Sequence, residues 1–373
     1  MPEAVPASEP EPIHPARLRR VDRILGEIRR GTPVVLRNGG RAALVAAVET
    51  SGLSALTAFA PAVGASPEIV LTRQRAERLG LGAATAAVAV AGRDLTDTDV
   101  VGLADPGAPD PLAVTHGLSP REAGSIADAA LQATKLARLL PAVLQVHLQV
   151  PDPAAWAAEH DLLMADVADV AAYRPAIVDG LREVAAARVP LAGAEHTRIH
   201  AFRPADGGEE QLAVVIGDPS PDTPVLTRLH SECLTGDLLG SLRCDCGDQL
   251  RGAIDAIAAE GAGVLLYLAQ EGRGIGLVNK LRAYRQQDAG ADTLDANAAL
   301  GFDADERRYA PAAAMLTRMG FTRVRLMTNN PEKVTALTEG GITVTERVPH
   351  RFPANPHSAA YLATKTARFG HLS

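Results

Sequence analysis

The chain has 373 residues, a length that argues for two domains rather than one. Hydrophobic residues make up 47% and charged residues 22%, a globular composition that excludes a largely disordered chain. Lys and Arg number 37 against 44 Asp and Glu, so the net charge of -7 excludes a whole-protein basic field for nucleic acid but leaves room for a local basic pocket.

Residues 1–15 are rich in Pro, Glu, Ala and Ser and read as a disordered tail without the apolar core of a signal peptide. From Ala16 to Arg30, Leu18, Val21, Ile24, Leu25 and Ile28 recur at helical spacing. Pro33 to Leu36 and Ala43 to Val48 read as short buried strands. Ser119 to Leu140 is Ala- and Leu-rich and predicts a helix that Pro141 stops, followed by a strand over Ala142 to Val150 and a further helix from Ala154. The most apolar window, Leu139 to Val150, is too short to span a bilayer, so a soluble, cytoplasmic protein is expected. Ile199 to Phe202 and Leu212 to Ile216 read as strands, and the pattern change places a domain boundary near 190. Beyond it, Val225 to Leu229, Val264 to Leu268 and Val324 to Met327 read as strands, and Gly247 to Glu260 and Gly276 to Gln287 as helices. The mixture points to α+β.

All three cysteines fall within 14 residues, in the strings His230-Ser231-Glu232-Cys233 and Arg243-Cys244-Asp245-Cys246-Gly247. An odd, clustered set argues against a disulfide framework and for reduced thiolates used together. Thiolates are soft ligands that suit zinc, and Gly247 permits the turn that lets Cys244 and Cys246 reach one ion. Three protein ligands leave a position open for water, as in a catalytic site; a closed site with His230 as fourth ligand is the alternative. A catalytic metal generates a nucleophile near neutral pH, so the chemistry to look for is hydrolysis.

Further strings follow. Glu271-Gly272-Arg273-Gly274 combines an acid, a guanidinium and flexible backbone, and by itself also fits an ordinary strand-to-helix turn. Asp305-Glu306-Arg307 on its own reads as a solvated helix N-terminus. Thr328-Asn329-Asn330-Pro331-Glu332-Lys333 follows a strand, with Asn330 as cap and Pro331 in the first turn. That geometry suits a phosphate, or simply a capped helix.

Together these strings resemble GTP cyclohydrolase II, over about residues 190–373. The resemblance rests on Arg228 to Cys233, Arg243 to Gly247, Gln249, Gln270 to Arg273, Asn279-Lys280, Arg282 to Tyr284, Gln287-Asp288, Asp292-Thr293, Asp303 to Arg307 and Thr328 to Pro331. It implies conversion of GTP and water to formate, diphosphate and a diamino-ribosylamino-pyrimidinone phosphate, the opening step of riboflavin biosynthesis. It further implies zinc on Cys233, Cys244 and Cys246, with metal-activated water attacking C8 of guanine. Asp305 matches the family's proton acceptor, Arg307 its proposed nucleophile and Tyr284 a tyrosine of the chemistry. The implied GTP contacts are Arg228, Leu229, His230, Ser231, Glu232, Gln249, Glu271, Gly272, Arg273, Thr293, Thr328 and Lys333. Magnesium with the triphosphate and a homodimer are also implied. A guanidinium stays protonated and is a poor nucleophile, so an electrostatic clamp on departing diphosphate is the alternative role for Arg307.

Residues 16–190 are faintly similar to dihydroxybutanone-phosphate synthase, an α/β domain, through Gly31 to Leu36, Leu71-Thr72 with Arg75-Ala76, and Leu136 to Arg138. The acidic string expected after the first strand is replaced by Arg37-Asn38-Gly39-Gly40-Arg41. Such a synthase needs carboxylates for magnesium, so a degenerate, non-catalytic first half is expected. A bifunctional enzyme and a catalytically dead nucleotide-binding regulator are the competing readings.

Overall fold

The structure, a computed structural model, describes residues 14–59, 66–82, 85–91, 95–108, 115 and 118–350. Of the expected tail, only His14 and Pro15 fall among them: His14 caps the first helix, Pro15–Arg30, and Pro15 opens it. That helix buries the five apolar residues that its spacing singles out and ends at Gly31, whose φ of 82° is open to glycine at little cost.

The first half is built on a seven-stranded sheet. Its strands are β1 (Val34–Asn38), β2 (Arg41–Ala47), β3 (Glu68–Thr72), β4 (Ala87–Ala91), β5 (Ser119–Glu122), β6 (Ala142–His147) and β7 (Met164–Asp166). They lie in the order β5-β4-β3-β6-β2-β1-β7, antiparallel except for the pair β1 and β7. Both faces are covered. Helices Pro15–Arg30, Ser125–Leu136 and Val167–Asp179 pack on one, and Asp97–Ala104 and Pro153–Glu159 on the other. The helix expected from Ser119 begins only at Ser125, because residues 119–122 form an exposed edge strand and Gly124, at φ 78°, breaks the chain direction. An edge strand with no buried face carries no alternation to read.

The second half also holds a seven-stranded sheet, of β8 (Arg182–Arg188), β9 (Thr197–Arg203), β10 (Gln211–Ile216), β11 (Val225–Ser231), β12 (Gly263–Leu268), β13 (Arg323–Met327) and β14 (Thr343–Val348). The order is β14-β13-β11-β12-β10-β9-β8. The block β14-β13-β11-β12 is parallel and the block β10-β9-β8 antiparallel, so the fold is mixed α+β, as expected. Helices Ala310–Arg318 and Pro331–Glu339 cover one face, and Cys246–Glu260 covers the other. The change of sheet falls between Asp179 and Arg182, earlier than the boundary read near 190. The reason is again an exposed edge: every residue of β8 faces solvent, so no apolar signal announces it.

The halves meet through a built junction. Leu140 joins Ile275, Ala283, Ala296, Leu300 and Phe302 in one apolar cluster. Thr72 Oγ1 donates to Gly301 O at 2.8 Å. The buried Arg75 guanidinium is satisfied by the carbonyls of Gly102, Leu103 and Ala299. Burying such a charge is tolerable only with this full set of acceptors. Among the described residues no helix is long and apolar enough to cross a membrane.

Gly301 is a close point of that junction. Its φ is 85°, and a Cβ there would lie 2.8 Å from Thr72 Oγ1 and 3.1 Å from Pro141 Cγ. Gly301→Val is expected to cost about 1–3 kcal/mol and to lower the thermal unfolding midpoint measured by calorimetry.

Candidate active site

The parallel block of the second sheet determines where the polar residues collect. β11 ends at Ser231 and is followed by Glu232 and Cys233; β12 is followed by Gln270 to Arg273; β13 is followed by Thr328 to Asn330. Three parallel strands thus deliver their loops to one edge, the usual location of a ligand crevice in such sheets. A cavity of about 480 Å³ opens there, within the range of small-molecule sites.

The three cysteines meet at this edge. Their sulfurs all lie within 4.8 Å of one another, and Cys233 Sγ is 3.7 Å from Cys244 Sγ. Sulfurs on one tetrahedral zinc with bonds of ~2.3 Å would be ~3.8 Å apart, so the spacing fits that ion. Gly236 makes the room: a Cβ on it would sit 2.7 Å from Cys244 Sγ and 3.1 Å from Cys233 Sγ. Hydrogen bonds from Cys244 and Cys246, against burial and with help from Lys280, hold the Cys233 thiol well below its usual range. The same contacts push Cys244 and Cys246 up, and a dication among the sulfurs would reverse that rise. His230 stands apart from the cluster. Its Nε2 lies 3.0 Å from both oxygens of Asp237, and its ring stacks on Tyr267 at 5.6 Å. The arrangement therefore favours three sulfur ligands over a closed set with His230.

Lys280 is the residue that the sequence reading leaves without a role. Its Nζ lies 3.1 Å from Cys233 Sγ, 2.8 Å from Thr235 Oγ1 and 2.9 Å from Glu271 Oε1. The available signal was its position four residues before Tyr284 on one helix face, Leu277–Asp288. Tyr284 lines the cavity beneath the Arg243 guanidinium, 4.4 Å from its ring. Burial, partly offset by Lys280, pushes the Tyr284 hydroxyl up to about 12. Arg273 follows Glu271 in the left-handed region, at φ 61°, which costs a side chain of this size conformational energy.

Most of the implied nucleotide contacts line the cavity: Arg228, His230, Ser231, Glu232, Gln249, Glu271, Gly272, Arg273, Thr293, Thr328 and Lys333. Arg228 is buried, and donates to Met327 O at 2.9 Å and Gln249 Oε1 at 2.6 Å. Asn330 caps helix Pro331–Glu339, and its own N–H donates to Thr328 Oγ1. Burial, then Arg228, pushes His350 down to about 4, so its ring is neutral where it meets Gln249 O at 2.9 Å. Leu229 is different. Its side chain lies in the apolar core, and its carbonyl accepts from Lys333 Nζ at 2.7 Å.

Asp305, Glu306 and Arg307 do not start a helix; the next one begins at Ala310. They sit on an inward-turned loop, and Arg307 Nε donates to both oxygens of Asp305 at 2.9 and 3.0 Å. Burial raises the Asp305 carboxyl, but the charge and hydrogen bonds of Arg307 outweigh it and hold the group below the usual carboxylate range. Arg307 lines the cavity, with Asp305 directly behind it.

Comparison with known proteins places this geometry in context. Residues 182–349 match the family model of GTP cyclohydrolase II. The chain is 52% identical over 381 residues to a protein named GTP cyclohydrolase-2 from Azospirillum brasilense, covering 99% of this chain and 98% of that one. It is 58% identical over 189 residues to a GTP cyclohydrolase-2 from Azotobacter vinelandii, which covers 51% of this chain and 90% of the relative. Among solved structures it is similar to a two-domain 3,4-dihydroxy-2-butanone 4-phosphate synthase from A. baumannii, at 16% identity and a TM-score of 0.33, covering 89% of this chain and 100% of that one.

The void at Gly236 makes a direct test of the thiol cluster. Gly236→Ala is expected to weaken zinc binding at least about tenfold, read by competition with a chromophoric chelator, while the fold persists by circular dichroism.

Proposed function

Because the chain belongs to the GTP cyclohydrolase II family, we propose that it hydrolyses GTP in riboflavin biosynthesis. One water adds at C8 of the guanine and the five-membered ring opens to a formamide, whose C–N bond a second water cleaves to release that carbon as formate. A third water attacks the α-phosphorus as the bond to the bridging oxygen breaks, diphosphate leaves, and a diamino-ribosylamino-pyrimidinone phosphate remains. The observation that carries this reading is that one cavity is lined both by the three clustered thiols and by Arg228, Arg273, Arg307 and Lys333, cations suited to a triphosphate.

A zinc ion held by Cys233, Cys244 and Cys246 would supply Lewis acidity at the reacting carbon. Magnesium would travel with the triphosphate as part of the substrate. The protein's own groups divide the remaining work. Asp305, ionised beside Arg307, accepts a proton from the attacking water. Tyr284 keeps its proton at neutral pH and acts as a hydrogen-bond donor at the opened ring. Arg307 is a clamp on the departing diphosphate rather than a nucleophile, since its two-oxygen pairing with Asp305 favours the protonated guanidinium. The capped start of helix Pro331–Glu339, with Thr328 and Lys333, offers N–H groups and charge to the phosphates. Thr293 and Glu232, with Ser231 and Gln249, line the remaining wall against the nucleoside.

The rest of the proposal is coarser. A cytoplasmic setting agrees with free thiols used as ligands. A homodimer agrees with exposed Leu238, Leu239 and Leu242, and with Val278 and Leu281 on the helix that Lys280 ties to Thr235. The first half is proposed to make no dihydroxybutanone phosphate, since Arg37, at the position that calls for an acid, is paired with Asp166 at 2.7 Å.

Two experiments test this. Mass spectrometry of the GTP reaction should find formate and the pyrimidinone phosphate, and a zinc chelator should abolish both. Absence of formate with zinc-loaded protein would leave the nucleotide-binding regulator as the better reading. Asp305→Asn should lower kcat at least about 100-fold. Because the carboxyl lies below its ordinary value near 4, it is ionised throughout about pH 6 to 9, and the ratio of native to variant rates should be flat there. A ratio that climbs with pH would contradict the assignment of Asp305.

A further inference from the structure

The loop 302–309 has no regular secondary structure, yet it carries the Asp305–Arg307 pair. Within the second half it is held by the Asn297 side chain, which donates to Ala304 O at 3.3 Å, by Glu306 N, which donates to Arg273 O at 3.1 Å, and by Arg308 N, which donates to Gln270 Oε1 at 3.0 Å. Further holds come from the first half, where the Gln74 side chain bonds the Asp303 carboxylate. Lys135, at the end of helix Ser125–Leu136, bonds the carboxylate of Glu306 and lies 3.3 Å from Asp303 Oδ2. Glu306 is only 6% exposed, and its Oε1 also accepts the N–H of Asp303 at 3.1 Å. Arg174, from helix Val167–Asp179 of the first half, is within electrostatic reach of the same carboxylate.

The helix that carries Lys280 and Tyr284 is gripped from the same side. Asn279 Nδ2 donates to Arg138 O at 3.1 Å, and Arg282 pairs with Glu49 at 3.0 Å. Glu49 in turn accepts the N–H of Leu140 at 2.7 Å, so the grip is anchored in first-half backbone. A buried carboxylate deprived of its cation is costly and relaxes by moving. Here movement of Glu306 would carry Arg307, its neighbour in sequence, away from its position over the cavity.

We infer that the first half serves the second as an internal brace, and that Lys135 is a positioning residue for the Asp305–Arg307 pair, acting through Glu306. The inference rests on the GTP reading for its kinetic test but not for its structural one. It assigns work to a region whose synthase activity the sequence reads as lost.

The full-length chain with zinc is compared in four forms: native, Lys135→Met, Lys135→Arg, and the double variant Lys135→Met with Glu306→Gln. Arg121→Ala, which breaks the surface pair with Glu68 in the first half, is the control. Lys135→Met should lower kcat about tenfold or more with KM changed less than about threefold, because misplacement of a reacting group acts on the transition state. Lys135→Arg should keep most of the rate. The double variant, which removes both charges, should recover most of what Lys135→Met loses. A Lys135→Met rate within about twofold of native, or a folded double variant no faster than the single one, would overturn the brace. Should Lys135→Met not fold, Lys135→Arg and the double variant carry the same test, since a neutral pair must restore both fold and rate. Hydrogen exchange separates this inference from the GTP reading. If native protein does not turn over GTP, that reading fails. The brace still requires faster exchange over residues 302–308 in Lys135→Met and none in Arg121→Ala; unchanged exchange sinks it.

Discussion

The buried carboxylate of Glu271 joins three segments, one of them 37 positions away in the chain. It accepts the N–H of Leu234 at 2.6 Å, the N–H of Gly272 at 2.7 Å and the ammonium of Lys280 at 2.9 Å. The loop after β11, the loop after β12 and helix Leu277–Asp288 are thereby fixed to one another. Lys280, held in this way, is presented to Cys233. A carboxylate with these partners is worth keeping buried, because each partner is a charged or backbone donor that burial would otherwise strand. The thiol cluster, the tyrosine and the cation-lined wall all take their relative positions from that node and from the register of the parallel strands beneath it.

What could be read from the sequence followed the physics of burial. Elements with a buried face gave a period: the first helix, β10, β11, β12 and helix Cys246–Glu260 lie within a residue or two of their expected bounds. Elements at sheet edges gave none, which is why β5 passes for helix and β8 goes unread. The site was legible in another way. Cysteine spacing announced a thiol cluster that the fold brings together, and the resemblance pointed to residues that line one cavity. Local composition misled at Asp305 to Arg307, where three charged residues in a row suggest solvent. The buried pairing of Glu306 with Lys135, 171 positions away, cannot be read from neighbours in the chain. Leu229 is a motif position whose side chain serves the core while its carbonyl accepts from Lys333.

The two sheets differ in what they can offer. The first is antiparallel but for one pair, and its faces are closed by helices, so most neighbouring strands send their following loops to opposite edges. The second is divided, with an antiparallel flank that gives rigidity and a parallel block whose loops converge. Chemistry gathers on the block with convergent loops, while the first half contributes through side chains that cross the junction: Thr72, Arg75, Lys135 and the Glu49 carboxylate.

Arg273 holds a left-handed backbone between two glycines that hold the same hand, Gly272 and Gly274. Relaxing that strain needs only a third glycine, and a search for heat-resistant variants would be drawn to that exchange. The gain would be taken from the cavity wall, which would lose a guanidinium. Robustness and activity therefore compete for this one codon, and directed evolution that screens for both should leave it untouched while the surrounding surface drifts.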